Sequence, residues 1–153
     1  MRIVYDSAIF SGQKFGGVSR YFVELAAAMS VVQRSDIKCI INAPIYINRH
    51  LLLARGNLDV LGVFIANGYG MSRVCGAIND FVSPLLMRAI NPDIVHETYY
   101  KAIGYAPSGS RVVLTVYDMI HELFPSDFSP ADLTSFYKQE AVKRADHIIC
   151  ISE

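Results

Sequence analysis

The chain has 153 residues, of which 52% are hydrophobic and 18% charged, and its 14 basic residues balance its 14 acidic ones. A chain this apolar can bury enough surface to offset its ordering entropy, so the composition excludes intrinsic disorder and predicts one compact domain. A net charge of zero without a Lys/Arg cluster argues against nucleic acid as a partner. The mean hydropathy of +0.30 is high, yet no apolar run approaches the roughly 18 residues of a membrane span.

The amino terminus and the cysteines indicate the cellular compartment. Met1-Arg2-Ile3-Val4-Tyr5-Asp6 enters a strand-like run at once and reaches an acid at its sixth residue, too early for the apolar stretch of a signal peptide. We therefore expect a cytoplasmic protein. Cys39, Cys75 and Cys150 are odd in number and far apart, which predicts reduced thiols that mostly fill the core.

Strand-like and helix-like patterns alternate along the chain, and this alternation predicts an α/β fold with helices on both faces of a parallel sheet. We expect strands over residues 2–5, 37–41, 59–65, 93–96, 111–117 and 147–151, the last of them buried. The region 44–69 fits strand and helix templates alike, and we divide it into a short helix near 48–55 and the strand over 59–65.

Three longer helices complete the predicted pattern. The first follows Gly16-Gly17, with Ser19 as its cap and apolar positions at Phe22, Leu25, Ala26 and Met29. The second runs from Ser72 to Asn91-Pro92, bends at Pro84, and has an apolar pattern of Val74, Ile78, Phe81, Val82, Leu85 and Leu86. The third follows Ser129-Pro130-Ala131-Asp132, which resembles a capping box, and carries Leu133, Phe136, Tyr137 and Val142.

Polar residues stand where the predicted strands end. In open parallel sheets, ligands bind beyond the carboxyl ends of the strands, where the loops diverge. Those ends carry Asp6-Ser7, His96-Glu97-Thr98, Tyr117-Asp118 and Ser152-Glu153. We expect these groups to gather along one side of the sheet, called the carboxyl edge below.

The glycine pair Gly16-Gly17 lies between the first strand and its helix. Glycines let backbone N–H groups approach a ligand closely, and a helix N-terminus favours anions, so phosphate is the expected guest, with Arg20 as a charged contact. Turn glycines in an exposed loop and a solvated arginine are the alternatives. The full G-x-G-x-x-G spacing and the P-loop pattern are both absent, which argues against an ordinary dinucleotide or nucleotide site.

Two further clusters carry hydroxyl, imidazole and carboxylate groups. His96 and Glu97 at a strand end, with Thr98, Tyr99 and Tyr100 after them, form a set that suits a polar ring such as a sugar, and we expect His96, Glu97 and Tyr99 to bind this ring as an acceptor. A strand end with a hydrogen-bonded histidine is the alternative. Tyr117-Asp118 and the following His121-Glu122 offer a histidine and carboxylates for general acid–base work. Nothing resembles H-E-x-x-H, so we expect no metal among His96, Asp118, His121 and Glu122.

Read in order, several segments resemble the amino-terminal half of a family 4 glycosyltransferase of the two-domain GT-B type. They are Met1-Arg2-Ile3-Val4-Tyr5-Asp6, Phe15-Gly16-Gly17-Val18-Ser19-Arg20-Tyr21, Pro92-Asp93-Ile94-Val95-His96, Val113-Leu114-Thr115-Val116-Tyr117-Asp118, Phe124-Pro125, and Arg144-Ala145-Asp146-His147-Ile148-Ile149-Cys150-Ile151-Ser152-Glu153. The resemblance covers nearly the whole chain and keeps the family's order.

The resemblance implies a Rossmann-like domain, residues 1–153, that binds the sugar acceptor opposite a carboxyl-terminal donor domain, which is absent here. It implies a retaining transferase that takes a sugar from a nucleotide sugar to a polysaccharide, glycolipid or other lipid-linked acceptor of the cell envelope. It also implies no metal cofactor, peripheral contact of the full-length protein with the inner face of the membrane, and no activity of this chain alone. The family's glycine loop approaches the donor phosphates, which matches Gly16, Gly17 and Arg20.

The sequence departs from the family at one important place. Many members carry a histidine before the aspartate that ends the Thr-Val strand, whereas Tyr117 precedes Asp118 here. Tyrosine can donate a hydrogen bond to a sugar hydroxyl but carries no charge near neutral pH. Tyr117 and Asp118 therefore stand at the expected catalytic position, with His121 as the candidate substitute.

Two other interpretations compete with the transferase. One is a non-enzymatic α/β module that binds a sugar or phosphate ligand or pairs with a separate donor-domain chain. The other, an oxidoreductase, is disfavoured because the glycine fingerprint is incomplete. If the chain is half of a two-domain enzyme, the high apolar content without a membrane span predicts exposed apolar surface, and with it a homo-oligomer or a monomer that associates at high concentration.

Overall fold

The computed structural model describes residues 1–31, 36–66 and 70–151. Within them, six strands form one sheet: β1 (Arg2–Tyr5), β2 (Lys38–Tyr46), β3 (Val60–Phe64), β4 (Ile94–Glu97), β5 (Arg111–Val116) and β6 (His147–Cys150). All neighbouring strands are parallel, in the order β3-β2-β1-β4-β5-β6. This is the strand order of dinucleotide-binding domains, and the predicted Rossmann-like α/β fold is confirmed.

The helices of the described residues are α1 (Ala8–Gly12), α2 (Gly17–Val31), α3 (Arg49–Ala54), α4 (Met71–Ile90), α5 (Ile120–Leu123) and α6 (Thr134–Arg144). The short helix predicted near 48–55 is α3, which Asn48 caps by accepting a hydrogen bond from the Leu51 N–H at 3.0 Å. α4 continues through Pro84 and ends at Asn91, whose left-handed φ of 50° stops the helix.

Helices cover both faces of the sheet because alternate strand residues point to opposite sides. Tyr5 and Ile41 belong to a core that includes Phe22 of α2 and Leu51 of α3. On the other face, Val4 and Val95 pack with Met87 of α4, and Leu114 packs with Ala141 of α6.

Two sequence-based helix caps are wrong. α2 begins at Gly17, so Ser19 lies inside its first turn, where its hydroxyl donates to the Gly16 carbonyl at 3.0 Å. α6 begins at Thr134, after the predicted capping box. Ser129 instead forms a local turn by accepting a hydrogen bond from the Ala131 N–H, and Asp132 accepts one from the Thr134 N–H at 2.8 Å.

The last strand is also less buried than predicted. β6 forms an edge of the described sheet, so only β5 pairs with it there, and Ile148 and Cys150 are exposed. Cys150 therefore does not fill the core. Cys75 is fully buried and Cys39 is half-buried, and all three cysteines are free thiols.

A bulge in β2 is held by polar groups from α4. The pairing of β2 with β3 shifts register between Asn42 and Ile45, and β1 pairs with β2 only as far as Ile41, so no strand of the described sheet lies beside Ile45 on that side. The fully buried Asn79 side chain takes the place of such a strand, accepting from the Ile45 N–H at 3.0 Å and donating to the Ile45 carbonyl at 2.8 Å. α4 thus presents a polar residue to the sheet where an apolar one would be expected.

None of the helices within the described ranges has the length and the hydropathy that crossing a membrane requires.

Gly62 of β3 lies against the bulge, and a Cβ built there would stand 1.6 Å from the Ala43 carbonyl oxygen. We predict that Gly62→Ala forces β2 and β3 apart and lowers the free energy of unfolding by about 1–3 kcal/mol. Gly56→Ala is the matched control, because a Cβ at Gly56 meets nothing within 4 Å. Urea denaturation of both variants checks the prediction, and equal effects would contradict it.

Candidate functional site

The carboxyl ends of β1 and β4 meet at Asp6 and Thr98. Asp6 is buried, and its Oδ1 accepts from the Thr98 N–H at 2.9 Å and from the Thr98 hydroxyl. It also accepts from the Ala8 N–H at 3.3 Å. Burial raises the pKa of Asp6, and these hydrogen bonds oppose that rise. The sheet order reverses between β1 and β4, so this contact marks the point where a ligand crevice opens.

Glu97 is held in a buried ion pair. Its carboxylate accepts hydrogen bonds from Arg144 Nε at 2.8 Å and from Arg144 Nη2 at 2.7 Å. This bidentate contact joins β4 to α6. Burial raises the Glu97 pKa, while the Arg144 guanidinium lowers it. A Cβ at Gly104 would stand 2.3 Å from Glu97 Oε1, so the loop after β4 packs directly on this pair.

His96 is buried on the opposite face. Its Nε2 lies 2.9 Å from the Thr115 hydroxyl, and its ring packs against Tyr5 and Phe22 at centroid distances of 5.5 and 5.0 Å. Burial lowers the pKa of His96 to about 4, which keeps the imidazole neutral at physiological pH.

Tyr117 belongs to an aromatic cluster at the carboxyl edge. Its hydroxyl donates to the Thr98 carbonyl at 3.3 Å, and its N–H donates to the Tyr100 hydroxyl at 3.2 Å. Its ring lies 6.2 Å from Tyr21 of α2. Burial raises the Tyr117 pKa far above neutrality, so the phenol stays protonated and can act as a hydrogen-bond donor.

Asp118 is exposed beside a buried lysine that sequence reasoning missed. Lys138 of α6 is 4% exposed, and its ammonium donates to the Asp118 carbonyl at 2.8 Å and to the Glu122 carboxylate at 2.7 Å. It also lies 5.3 Å from the centre of the Tyr100 ring. Lys138 therefore orders the chain that follows β5, and it lowers the Glu122 pKa against the effect of burial.

His121 points toward the segment that precedes α6. Its ring stacks on Phe128 at 3.8 Å and its Nε2 lies 3.5 Å from Asp132. Among the described residues, no hydrogen-bond partner reaches its buried Nδ1. The contacts of His121 are thus separate from those of Tyr117, with which the sequence grouped it.

Gly16 precedes α2, and Gly17 is the first residue of that helix. A Cβ at Gly16 would meet the Gln13 side chain at 1.5 Å, whereas Gly17 borders open space. Arg20 is exposed and lies 3.8 Å from Glu24. Gly17 is therefore exposed at the α2 N-terminus, whereas the Gln13 side chain occupies the space beside Gly16. Tyr21 connects this turn to the Tyr117 cluster.

A cavity of about 510 Å³ lies beside the loop after β4. Its lining combines aromatic rings, a short loop and an ion pair, and comprises Asp80, Pro84, Tyr100, Lys101, Ala102, Ile103, Gly104, Tyr105 and Tyr137. The Lys101 ammonium contacts the Asp80 carboxylate and lies 2.6 Å from the Tyr105 hydroxyl. Lys101 lowers the Asp80 pKa against burial, so a charged pair faces the aromatic wall.

The structure brings together some predicted site residues and separates others. Glu97, Tyr117 and Asp118 lie along the carboxyl edge, and Tyr99 is partly exposed with its ring 4.9 Å from that of Tyr100. His96 is enclosed in the core, and Ser152-Glu153 lies outside the described residues.

Sequence reasoning also missed Asp80, Lys101, Tyr105, Tyr137 and Arg144. Arg144 is the first residue of a segment that carries the family resemblance, so the sequence contained a pattern that could have identified it. Asp80 and Lys101 are separated by 21 positions, and no local pattern joins them.

Within residues 1–31, 36–66 and 70–151, no group of three His, Cys, Asp or Glu side chains is placed to hold a metal ion. Comparison with protein-family models finds no match, and a search of curated proteins finds no match either.

The Glu97–Arg144 pair yields a stability prediction. Arg144→Ala leaves a buried carboxylate without its partner and should lower the free energy of unfolding by about 3 kcal/mol. Lys143→Ala, at the position before Arg144, is the matched control. It removes only an exposed ion pair with Glu140 and should lower the free energy of unfolding by less than about 0.5 kcal/mol. Thermal and urea unfolding measure both, and a mild Arg144→Ala variant would show that the pair contributes little.

His96 yields a pH prediction. His96 in the folded state binds a proton less tightly than His96 in the unfolded chain. The folded state therefore has its full stability above the ordinary histidine pKa of 6.5, and it loses stability as the pH falls toward about 4, because the unfolded chain takes up the proton first. Over that interval we expect the free energy of unfolding to fall by about 3 kcal/mol. In His96→Gln the free energy of unfolding should fall less steeply with pH. An NMR titration should show the His96 ring still neutral at pH 5.5, and protonation near 6.5 would contradict the prediction.

Proposed function

We propose that this chain is the amino-terminal, acceptor-binding domain of a retaining family 4 glycosyltransferase of the GT-B type. The observation that carries the proposal is the junction of β1 and β4, where Asp6 and Thr98 join two strands at the sheet's reversal point. Four segments of the family resemblance end at this edge or start the helix above it. They are those that end at Asp6, His96 and Asp118 and the one that contains Gly16-Gly17.

The cavity beside this junction suits a sugar acceptor. Sugars present apolar ring faces and hydroxyl edges, and aromatic rings with a few polar groups recognise both. Tyr100 and Tyr137 supply the rings, while Lys101, Asp80 and the Tyr105 hydroxyl supply donors and acceptors. Tyr99 and Glu97 support the wall, Tyr99 through its contact with Tyr100 and Glu97 through Arg144 and the loop near Gly104.

The donor side is proposed at the start of α2. The open space beside Gly17 and the N–H groups of the first turn suit the phosphates of a nucleotide sugar. Arg20 adds a nearby cation. Tyr117 and Asp118, between this helix and the cavity, would lie closest to the transferred sugar, with Tyr117 donating a hydrogen bond rather than carrying charge.

A sugar-binding module without catalysis is the second candidate, and the buried state of the acid–base groups favours it. His96 is neutral and enclosed, and His121 points to Asp132 and Phe128. If this candidate is correct, the carboxyl edge binds a ligand and transfers nothing.

Binding and transfer measurements test the proposal. Methyl glycosides at millimolar concentration should shift amide resonances around the cavity, and Tyr137→Ala should weaken that binding at least fivefold. Phe136→Ala is the matched control, because the neighbouring Phe136 lines a different groove. Labelled nucleotide sugars should support transfer only when the chain is joined to a donor domain.

Three outcomes would count against the proposal. If no glycoside shifts the amide resonances of residues around the cavity, the acceptor site is refuted. Equal losses in Tyr137→Ala and Phe136→Ala would show a nonspecific effect. Tight binding of a nucleotide sugar by the chain alone, without transfer in any joined form, would favour the binding module.

A further inference from the structure

The exposed face of α4 is more apolar than its buried face. The sheet side of the helix carries Cys75, Asn79, Ser83 and Met87. The solvent side carries four large apolar residues, Val74, Ile78, Phe81 and Leu85, which are 52%, 38%, 76% and 53% exposed. A surface helix ordinarily shows the reverse arrangement, so the bonds of Asn79 to the β2 bulge account for the inner face and leave the outer stripe without an explanation.

The outer stripe follows a heptad. Val74 and Phe81 are seven residues apart, with the small exposed Ala77 between them. At 100° per residue, Arg73 and Asp80 share one flank of this stripe, and Ile78 and Leu85 share the other. Such a pattern is typical of a helix that packs along another helix.

We propose that α4 packs against α4 of a second copy of this chain, antiparallel and crossing at Ala77. The small side chain of Ala77 allows the two helices to approach closely. Around a twofold axis there, Phe81 of one copy stands at the height of Val74 of the other, within about 1.5 Å of helical rise. Phe81 of each copy thus packs on Val74 of the other.

The charges on α4 fit the same arrangement. A twofold axis places like flanks of two antiparallel helices opposite each other. Arg73 of one copy then stands beside Asp80 of the other, again twice, while the flank with Ile78 meets itself without charge. Asp80 contacts Lys101 of its own chain, yet its side chain remains 55% exposed and accessible to a second cation.

The same charges argue against other occupants of this face. Asp80, on one flank of the exposed stripe, repels an anionic lipid surface, and the chain as a whole is neutral. An interface formed by one helix of each copy buries less surface than the roughly 800 Å² per partner that a standard interface buries. We therefore expect dimerisation to be reversible and concentration-dependent.

Sedimentation tests this inference without any sugar, so its failure is separable from that of the proposed function. The mass of the wild-type chain should rise from 17.0 kDa toward twice that value with concentration. Phe81→Glu should remain monomeric, because its carboxylate would face Val74 of the other copy. Phe136→Glu is the matched control, since Phe136 is 50% exposed on α6 and should leave the dimer intact.

Cysteine crosslinking tests the geometry. In a Cys150→Ser background, which removes the exposed thiol, Ala77→Cys should form a disulfide-linked dimer under mild oxidation. Leu85→Cys should not, because the two copies of residue 85 lie about 24 Å apart along antiparallel helices. Crosslinking through Leu85→Cys would overturn the proposed antiparallel orientation, because equivalent residues stand at equal height only in a parallel pair.

Other results would overturn the proposal itself. A wild-type chain that stays monomeric at all concentrations has no such interface. Dissociation by Phe136→Glu but not by Phe81→Glu would place the contact on α6. Binding of a monomeric chain to phosphatidylglycerol vesicles, lost in Phe81→Glu, would assign the face to lipid.

Discussion

The junction between β1 and β4 is the constraint on which the described structure depends. Chain connections leave these two strands toward opposite halves of the sheet, and the Asp6 carboxylate joins their ends through the N–H and hydroxyl of Thr98. That contact positions the loop after Thr98. The loop carries Lys101 and Tyr105 into the wall of the cavity, so the cavity exists where it does because the two strand ends are joined.

The carboxyl edge is built from buried charges that have partners and from phenols that remain protonated. Glu97 has Arg144, and Lys138 has Glu122 and the Asp118 carbonyl. Separating either pair would leave a charge in a medium that solvates it poorly. An edge with few groups free to exchange protons is suited to holding a ligand, and this property is common to the acceptor domain and to the non-catalytic module.

α4 meets the sheet through a polar contact. β2 extends past the last residue that pairs with β1, and the Asn79 side chain supplies both hydrogen bonds to the Ile45 backbone there. The sheet side of α4 is thus partly polar, while large apolar residues of the same helix are exposed. The high mean hydropathy of the chain is therefore partly a surface property, with exposed apolar side chains on α4, α6 and β6.

The sequence alone determined the fold class and most of the elements. Alternating short apolar runs and helical patterns predicted the strand positions closely, as in 2–5 for β1, because strand and helix periodicities depend on local order. The exception is β2, predicted over 37–41, which runs on to Tyr46 through the region that fitted strand and helix templates alike. The sequence also predicted that Asp6, Glu97 and Asp118 lie at strand ends on one side of the sheet, since parallel strands place their carboxyl ends on one side.

Only the tertiary structure decided what those residues contact. Ser19 and the 129–132 segment resembled caps, yet the helices begin elsewhere, because backbone packing sets the first turn. His96 looked like a ligand-facing residue, but strand pleating turned its ring into the core against Phe22. The pairs of Glu97 with Arg144 and Asp80 with Lys101 join residues 47 and 21 positions apart. Contacts at such separations depend on how strands and helices pack, and no local pattern in the chain encodes them.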